Sequence, residues 1–331
     1  MKKSDLRIVF LGTPHFAVES LRALVENDYR VVGVVTTPDK PVGRHGSVLQ
    51  SSPVKEYALS KGFPVLQPEN LKDKTFLDEL RALYANLQIV VAFRILPEAV
   101  WGMPQYGTFN LHGSLLPQYR GAAPINWAVI HGEKVTGVTT FFLTYGVDTG
   151  RIIRQRPIAI EETDNAGIVH DKLMTVGAAL VLETVDLIIA REDHIVTIPQ
   201  ETLFHDQSEL RPAPKIFNDT CRINWRQPAK AIYDFIRGLS PYPAAWTELE
   251  MPDGICQSLK IYETMIVPKT RSLPAGVIIT DLKTFLDIAA EDDCIRLLSV
   301  QLSGKKRLDI KEFLRGVKTI NELRVRETRD K

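Results

Sequence analysis

Cysteine is scarce in this chain. It has three in 331 residues, Cys221, Cys256 and Cys294, odd in number and widely spaced. They fit neither a disulfide framework nor a CxxC metal site, so they are expected to be ordinary buried thiols, and no metal is expected. Long apolar runs are missing too. No segment approaches the roughly 20 uninterrupted apolar residues that span a bilayer, which argues against a membrane protein. Near the N-terminus, Ser4, Asp5 and Arg7 interrupt the apolar stretch behind Lys2 and Lys3, so a secretory signal does not fit and the expected location is the cytoplasm. Overall charge is nearly absent, at a formal +1, while 44% apolar and 24% charged residues are ordinary for a soluble globular protein.

What is present points to two domains, because one hydrophobic core usually serves about 100 to 150 residues. The stretch ELRPAPKIF, from Glu209 to Phe217, reads as a linker, and the expected domains are 1–205 and 206–331. Cut at residue 210, the first part carries 20 Lys and Arg against 24 Asp and Glu, and the second 21 against 16, giving −4 and +5. Cationic surface concentrated in one domain is a usual footprint of a polyanion partner, although halves of ordinary enzymes also differ this much.

The first part alternates Val- and Ile-rich runs with amphipathic segments: RIVFLG (7–12), FAVESLRALVEN, RVVGVVTT (30–37), LQIVVAF (87–93) and GTFNLH (107–112). This is the βαβ rhythm of a parallel sheet. In the first turn, Gly12 gives the sharp exit, Thr13 is expected to cap the helix and Pro14 to open it. A single glycine there falls short of the GxGxxG needed for a dinucleotide. GVTTFFLT, the turn YGVDTG and RIIRQRPIAI predict an antiparallel hairpin packed beside the sheet, followed by a long helix from Asn165 to Ala190. Beyond residue 211, the pattern predicts a helix at AKAIYDFIRGL, a small β-barrel from AWTELE to IRLLSVQL, and a last helix at DIKEFLRG capped by Asp309.

Asn110 and His112, two apart at the end of an apolar strand, share one face. Carboxyl ends of strands are where open α/β sheets bind ligands. Gly113 and SLLP follow, a loop stiff enough to hold its backbone fixed for a planar ligand. Asp148, in YGVDTG, is a third polar group within reach of the imidazole. Each has a bland reading: a capped strand end, a satisfied loop histidine, a turn aspartate.

Together, NLHGSLLP (110–117), RGAAPINWA (120–128) and VDTG (147–150) resemble the active-site segments of the folate-dependent formyltransferases. The likeness continues through FLGTPHFAVESLRAL, VVTTPDKPVGRHG, IRGLSPYPAAW and SGKKRLDIKEFL, over essentially the whole chain. It implies an α/β fold: a Rossmann-like formyltransferase domain with a parallel sheet, then a smaller OB-like β-barrel domain. It implies 10-formyltetrahydrofolate as donor, the amino group of initiator methionyl-tRNA as acceptor, and a monomer with no metal. Asn110, His112 and Asp148 would be catalytic, and Ser114, Leu115, Leu116 and Pro117 would contact the folate. Two segments depart from the family pattern: AFRILP (92–97), which carries Arg94 in place of a glycine-containing pterin segment, and GTPHF, with His15 where an aspartate is common.

Formyl transfer to an amine develops a negative oxygen and releases an amine proton. The Asn110 amide would donate to that oxygen without titrating. Protonated His112 would donate to that oxygen or to the departing nitrogen of the folate, with the Asp148 carboxylate favouring the protonated ring, holding its orientation and, through a water, accepting the proton. The polar stretch from 36 to 55 reads as a long exposed loop presenting Lys40, Arg44 and His45, and the resemblance assigns Arg44 to the acceptor end of the tRNA. Lys305 and Lys306, in SGKKRLD, form either a basic turn or part of an RNA backbone track. The alternative function is a formyltransferase with another acceptor, or a formyltetrahydrofolate hydrolase, on the same trio. A noncatalytic RNA-binding protein is disfavoured by that trio being intact.

Overall fold

The computed structural model describes residues 2–42, 48–250, 256–316 and 324–325. Its chain divides into two compact units, one of Met1–Pro124, Val135–Ile158 and His170–Pro214, the other of Ile125–Lys134, Ala159–Val169 and Lys215–Lys331. Counted by these units, Lys and Arg equal Asp and Glu at 20 each in the first and stand at 21 against 20 in the second. The −4 and +5 split is a product of the linear cut. Glu161, Glu162 and Asp164 are folded into the unit that holds the basic half.

The first unit follows the order β1 (Ile8–Gly12), α1 (His15–Glu26), β2 (Val31–Val35), β3 (Lys40–Val42), β4 (Val48–Gln50), α2 (Pro53–Ser60), β5 (Val65–Leu66), α3 (Lys74–Ala82), β6 (Leu87–Val91), α4 (Glu98–Trp101) and β7 (Thr108–His112). After α5 (Pro124–Ile130) come β8 (Val135–Phe142), β9 (Ile152–Ala159) and α6 (Ala166–Arg191). A seven-stranded sheet runs β5-β2-β1-β6-β7-β8-β9. Strands β5 to β7 pair in parallel, and β8 pairs antiparallel with β7. All five residues of β1 and of β6 are buried, as strands covered on both faces require. The hairpin of β8 and β9 extends this same sheet rather than packing beside it, so the turn carrying Asp148 comes from a strand bonded directly to β7.

Three local expectations change. α1 begins at His15 with Pro14 as its N-cap and no side-chain cap, so the Thr13 hydroxyl falls one residue too early to cap and is buried without a partner. Part of the 36–55 stretch is a ribbon in which β3 pairs antiparallel with β4, with Val48 and Leu49 exposed; Arg44 and His45 lie outside the described residues. α6 is long and apolar enough to cross a membrane by length and composition, which a search for uninterrupted runs misses because Glu183 and Asp186 interrupt it. It packs instead through Leu173, Leu180, Val181, Val185 and Ile188, and its buried Thr184 hydroxyl meets that of Thr140 at 2.8 Å.

The second unit contains α7 (Ala229–Leu239), β10 (Ala245–Glu250), β11 (Cys256–Val267), β12 (Ile278–Thr280), β13 (Leu286–Ala289), β14 (Cys294–Leu302), β15 (Leu308–Asp309), α8 (Ile310–Gly316) and β16 (Arg324–Val325). Its sheet, ordered β12-β13-β14-β11-β10-β16, pairs antiparallel throughout and forms a half-barrel. Trp225, Ile232, Ile236, Leu259, Leu297 and Phe313 belong to its core. The Asp309 carboxylate accepts from the Lys311 amide at 2.8 Å, as expected of a cap. Cys221 and Cys294 are buried, whereas Cys256, at the start of β11, is partly exposed.

On α7, Asp234 accepts from Lys230 Nζ at 2.6 Å and from Arg237 Nε at 2.7 Å, and both Asp234 and Arg237 are only 5% exposed. Arg237 also donates to the Asp164 carbonyl at 2.7 Å. Removing one partner of a buried pair leaves an uncompensated charge. Asp234→Ala should therefore cost about 3–5 kcal/mol in urea unfolding followed by circular dichroism. A loss under about 1 kcal/mol would mean that the pair is solvated.

Candidate active site

β7 lies between β6 and β8, with Asn110 opposite Val90 on one side and Phe141 on the other. Strand alternation turns Asn110 and His112 to one face. Asn110 is partly exposed, and its amide has no hydrogen-bond partner among the described residues, so it is free to meet a ligand. His112 is buried, with its ring edge-on to Phe141.

His112 Nε2 lies 2.8 Å from the Tyr119 carbonyl oxygen. A carbonyl only accepts, so Nε2 carries a proton and the neutral ring presents its lone pair at Nδ1. Nδ1 faces Asp148 Oδ2 at 3.8 Å, too long for a hydrogen bond but close enough for the carboxylate to offset positive charge on the ring. Asp148 Oδ2 is held by the Gly121 amide at 2.9 Å. β8 ends opposite Phe109, so the following turn must double back to bring Asp148 to His112. Asp148 has a left-handed backbone, with φ of 53°.

The segment 119–121 therefore serves both candidate side chains, offering a carbonyl to His112 and an amide to Asp148. Its shape requires glycine. Gly121 has φ of 129°, and a Cβ there would lie 2.4 Å from the Ala213 carbonyl oxygen. The chain from 211 to 213 braces it: the Tyr119 amide donates to the Arg211 carbonyl at 2.7 Å and the Ala213 amide to the Arg120 carbonyl at 2.8 Å. The stretch read as a linker begins as part of the site's scaffold.

Among the four residues assigned to folate, Leu115 is partly exposed while Ser114, Leu116 and Pro117 are buried. The Ser114 hydroxyl donates to the Gln118 carbonyl at 2.7 Å, and Leu116 packs against Phe141 and Ile152. Thr139 donates to the Ser114 carbonyl at 2.6 Å, and Gln155 donates to the Leu116 carbonyl at 2.8 Å. The carbonyls of Ser114, Leu115 and Leu116 are thus all bonded within the fold, which holds the loop fixed, and Leu115 is its one partly exposed side chain. In the neighbouring segment 92–97, Arg94 turns inward and donates to the Pro68 and Glu69 carbonyls at 2.7 and 3.0 Å, and burial lowers its guanidinium below the usual arginine value. The direction of strand order reverses between β1 and β6, the place where open sheets leave a crevice. Thr13 follows one of these strands and Ala92 the other.

Lys305 and Lys306 are exposed in the turn after β14, with no ion pair for either among the described residues. Arg307 is committed, to Ser299 at 2.6 Å and to Glu263. No cluster of three or more metal-ligating side chains occurs among the described residues. Sequence reading missed Tyr119, Gly121, Arg120 and Gln200. The first two act through backbone atoms that no residue type announces. Arg120 stands in RGAAP without a pattern that reveals its partner, Gln200.

Comparison with known proteins bears on both units. A family model described as formyl transferase matches residues 6–185, and one described as formyl transferase, C-terminal domain, matches 215–318. A methionyl-tRNA formyltransferase of Parabacteroides distasonis is 64% identical over 325 residues, 98% of this chain and all of that one. One of Bacteroides fragilis is 60% identical over 96% of both chains. The crystal structure of HypX from Aquifex aeolicus in complex with tetrahydrofolic acid superposes with a TM-score of 0.62 at 17% identity; it covers 94% of this chain and 48% of that one, which is about twice as long.

The geometry fixes which ring nitrogen is free. In ¹⁵N NMR of imidazole-labelled protein at a pH where the ring is neutral, His112 should appear as the Nε2-protonated tautomer. The Nδ1-protonated form would contradict the bond to Tyr119.

Proposed function

The chain belongs to the formyl transferase family, and on that premise we propose that it transfers a formyl group from 10-formyltetrahydrofolate to the amino group of methionyl-initiator tRNA, the charged tRNA that opens translation. The observation that carries this reading is the 64% identity to a methionyl-tRNA formyltransferase along the full length of both chains. A shorter or one-domain likeness would leave the acceptor open.

In this reading Asn110, His112 and Asp148 are the transfer site. The attacking amine forms a bond to the formyl carbon, the bond from that carbon to N10 of the folate breaks, the amine loses a proton and N10 gains one. The unpartnered Asn110 amide donates to the formyl oxygen as negative charge grows there. With Nε2 committed to the Tyr119 carbonyl, proton exchange at His112 passes through Nδ1, and Asp148 offsets the charge when that nitrogen is protonated. The backbone of Ser114 to Pro117, the side chain of Leu115 and the crevice between Thr13 and Ala92 take the folate. Residues 1–205 carry the chemistry and 206–331 contribute to tRNA binding, with Lys305 and Lys306 on phosphates and Arg44 at the acceptor end. Because the second unit is nearly neutral overall, the RNA contact is a local patch rather than a field over the domain.

Incubation with labelled 10-formyltetrahydrofolate and charged initiator tRNA should move the label onto the methionyl amine. Label appearing as free formate would favour a hydrolase. Asn110→Ala and His112→Ala should each slow transfer by about 10²-fold or more with little change in thermal midpoint, and a near-normal rate in either would remove that residue from the site. Replacing Lys305 and Lys306 together by alanine should weaken tRNA binding and flatten its salt dependence by roughly one to two in the log–log slope. An unchanged slope would take the turn out of the RNA track.

A further inference from the structure

We propose that Gln200 is a positioning residue for formyl transfer, locking the Asp148 turn and the segment 119–121 into one hydrogen-bonded ring. The inference rests on the reading of Asn110, His112 and Asp148 as the transfer site. Gln200 is 1% exposed. Its Nε2 donates to the Asp148 carbonyl at 2.9 Å and to the Gly150 carbonyl at 2.7 Å, while its Oε1 accepts from Arg120 Nε at 3.0 Å and Nη2 at 2.7 Å. These partners fix the orientation of the amide, because carbonyls only accept and a guanidinium only donates. Both donors and both lone pairs are used.

The contacts close a circuit. Gln200 grips Asp148 by its backbone, Asp148 grips the Gly121 amide through its carboxylate, Gly121 follows Arg120 in the chain, and Arg120 returns to Gln200. The Tyr119 carbonyl that orients His112 is the next residue back. Asp148 needs such support, since a non-glycine residue with φ of 53° persists only where its surroundings impose it. Burial lowers the Arg120 guanidinium below the usual arginine value, and the Asp148 and Glu201 carboxylates oppose that shift. Only a glutamine meets all of this. Glutamate has no donor for the two carbonyls, asparagine is one carbon too short and methionine bonds to neither side. Since Gln200 has no spare valence and almost no exposure, it touches no substrate and acts through Asp148 and Arg120.

A single-turnover formyl-transfer assay on the full-length protein, at saturating donor and methionyl-tRNA, tests this with Gln200→Met, Asp148→Asn and the double variant. Gln200→Met should slow transfer by about 10- to 100-fold with donor KM and tRNA affinity changed by less than about 2-fold. On the Asp148→Asn background, the same change should cost less than about 3-fold, because the carboxylate it positions is already gone. Equal losses on both backgrounds, or a wild-type rate for Gln200→Met, would overturn the proposal. Gln200→Glu guards against a folding failure of the methionine protein. It keeps the Arg120 contacts, loses both donations and should show the same dependence on Asp148, and a wild-type rate for it would also overturn the proposal. A wild-type rate in Asp148→Asn alone would remove the site reading itself, and the inference with it.

Discussion

One hydrogen bond, from His112 Nε2 to the Tyr119 carbonyl at 2.8 Å, sets what the proposed site can do. It removes one ring nitrogen from use and aims the other at Asp148. A histidine free to rotate would divide its time between tautomers and orientations, and transfer between bound substrates is sensitive to displacements of about 1 Å. Tyr119 itself has a left-handed backbone, with φ of 61°, so its carbonyl points where an ordinary extended residue would not direct it.

That carbonyl is held in turn by structure arriving from distant parts of the chain. Arg211 and Ala213 brace Tyr119 and Arg120 by backbone bonds, and Gln200 binds Arg120 to the Asp148 turn. Short polar contacts thus converge on three consecutive residues, of which Tyr119 is buried and Arg120 and Gly121 are partly exposed. In a partly dry site, such a network is worth more than its separate bonds, and it fails when one member is lost. The partly exposed member of the proposed trio is Asn110, whose amide carries no internal bond among the described residues and so can meet a ligand without first breaking one.

Much of this was legible in the residues. Asn110 and His112 stand two apart at the end of a buried apolar strand, and period two puts them on one face before any coordinates exist. AKAIYDFIRGL is helical over the expected Ala229–Leu239, and AWTELE is a strand over Ala245–Glu250, because their apolar spacing suits one period only. Thr13 was misread as a cap because a helix start shifts by one residue with little local cost, and Pro14 is compatible with either position. The hairpin of β8 and β9 was recognised, but its pairing with β7 was not, since the edge a strand joins is decided by long-range packing. Tyr119 and Gly121 were illegible because their atoms in use are backbone, and Gln200 because its bonded partner Asp148 is 52 residues away with no periodic signal between them. The charge split misled for a related reason: a linear cut ignores that residues 159–169 fold with the second unit.

In the proposed reaction the formyl group lies between the Asn110 amide and the Nδ1 side of His112, with Nε2 still bonded to Tyr119. A crystal structure of the protein with a formyl-folate analogue that cannot transfer its group tests it most directly. The formyl oxygen is expected about 3 Å from the Asn110 amide nitrogen, the formyl carbon on the Nδ1 side of the ring, and the Nε2 to Tyr119 bond intact. A ring turned over to present Nε2 to the formyl group, or a formyl group remote from Asn110, would contradict it.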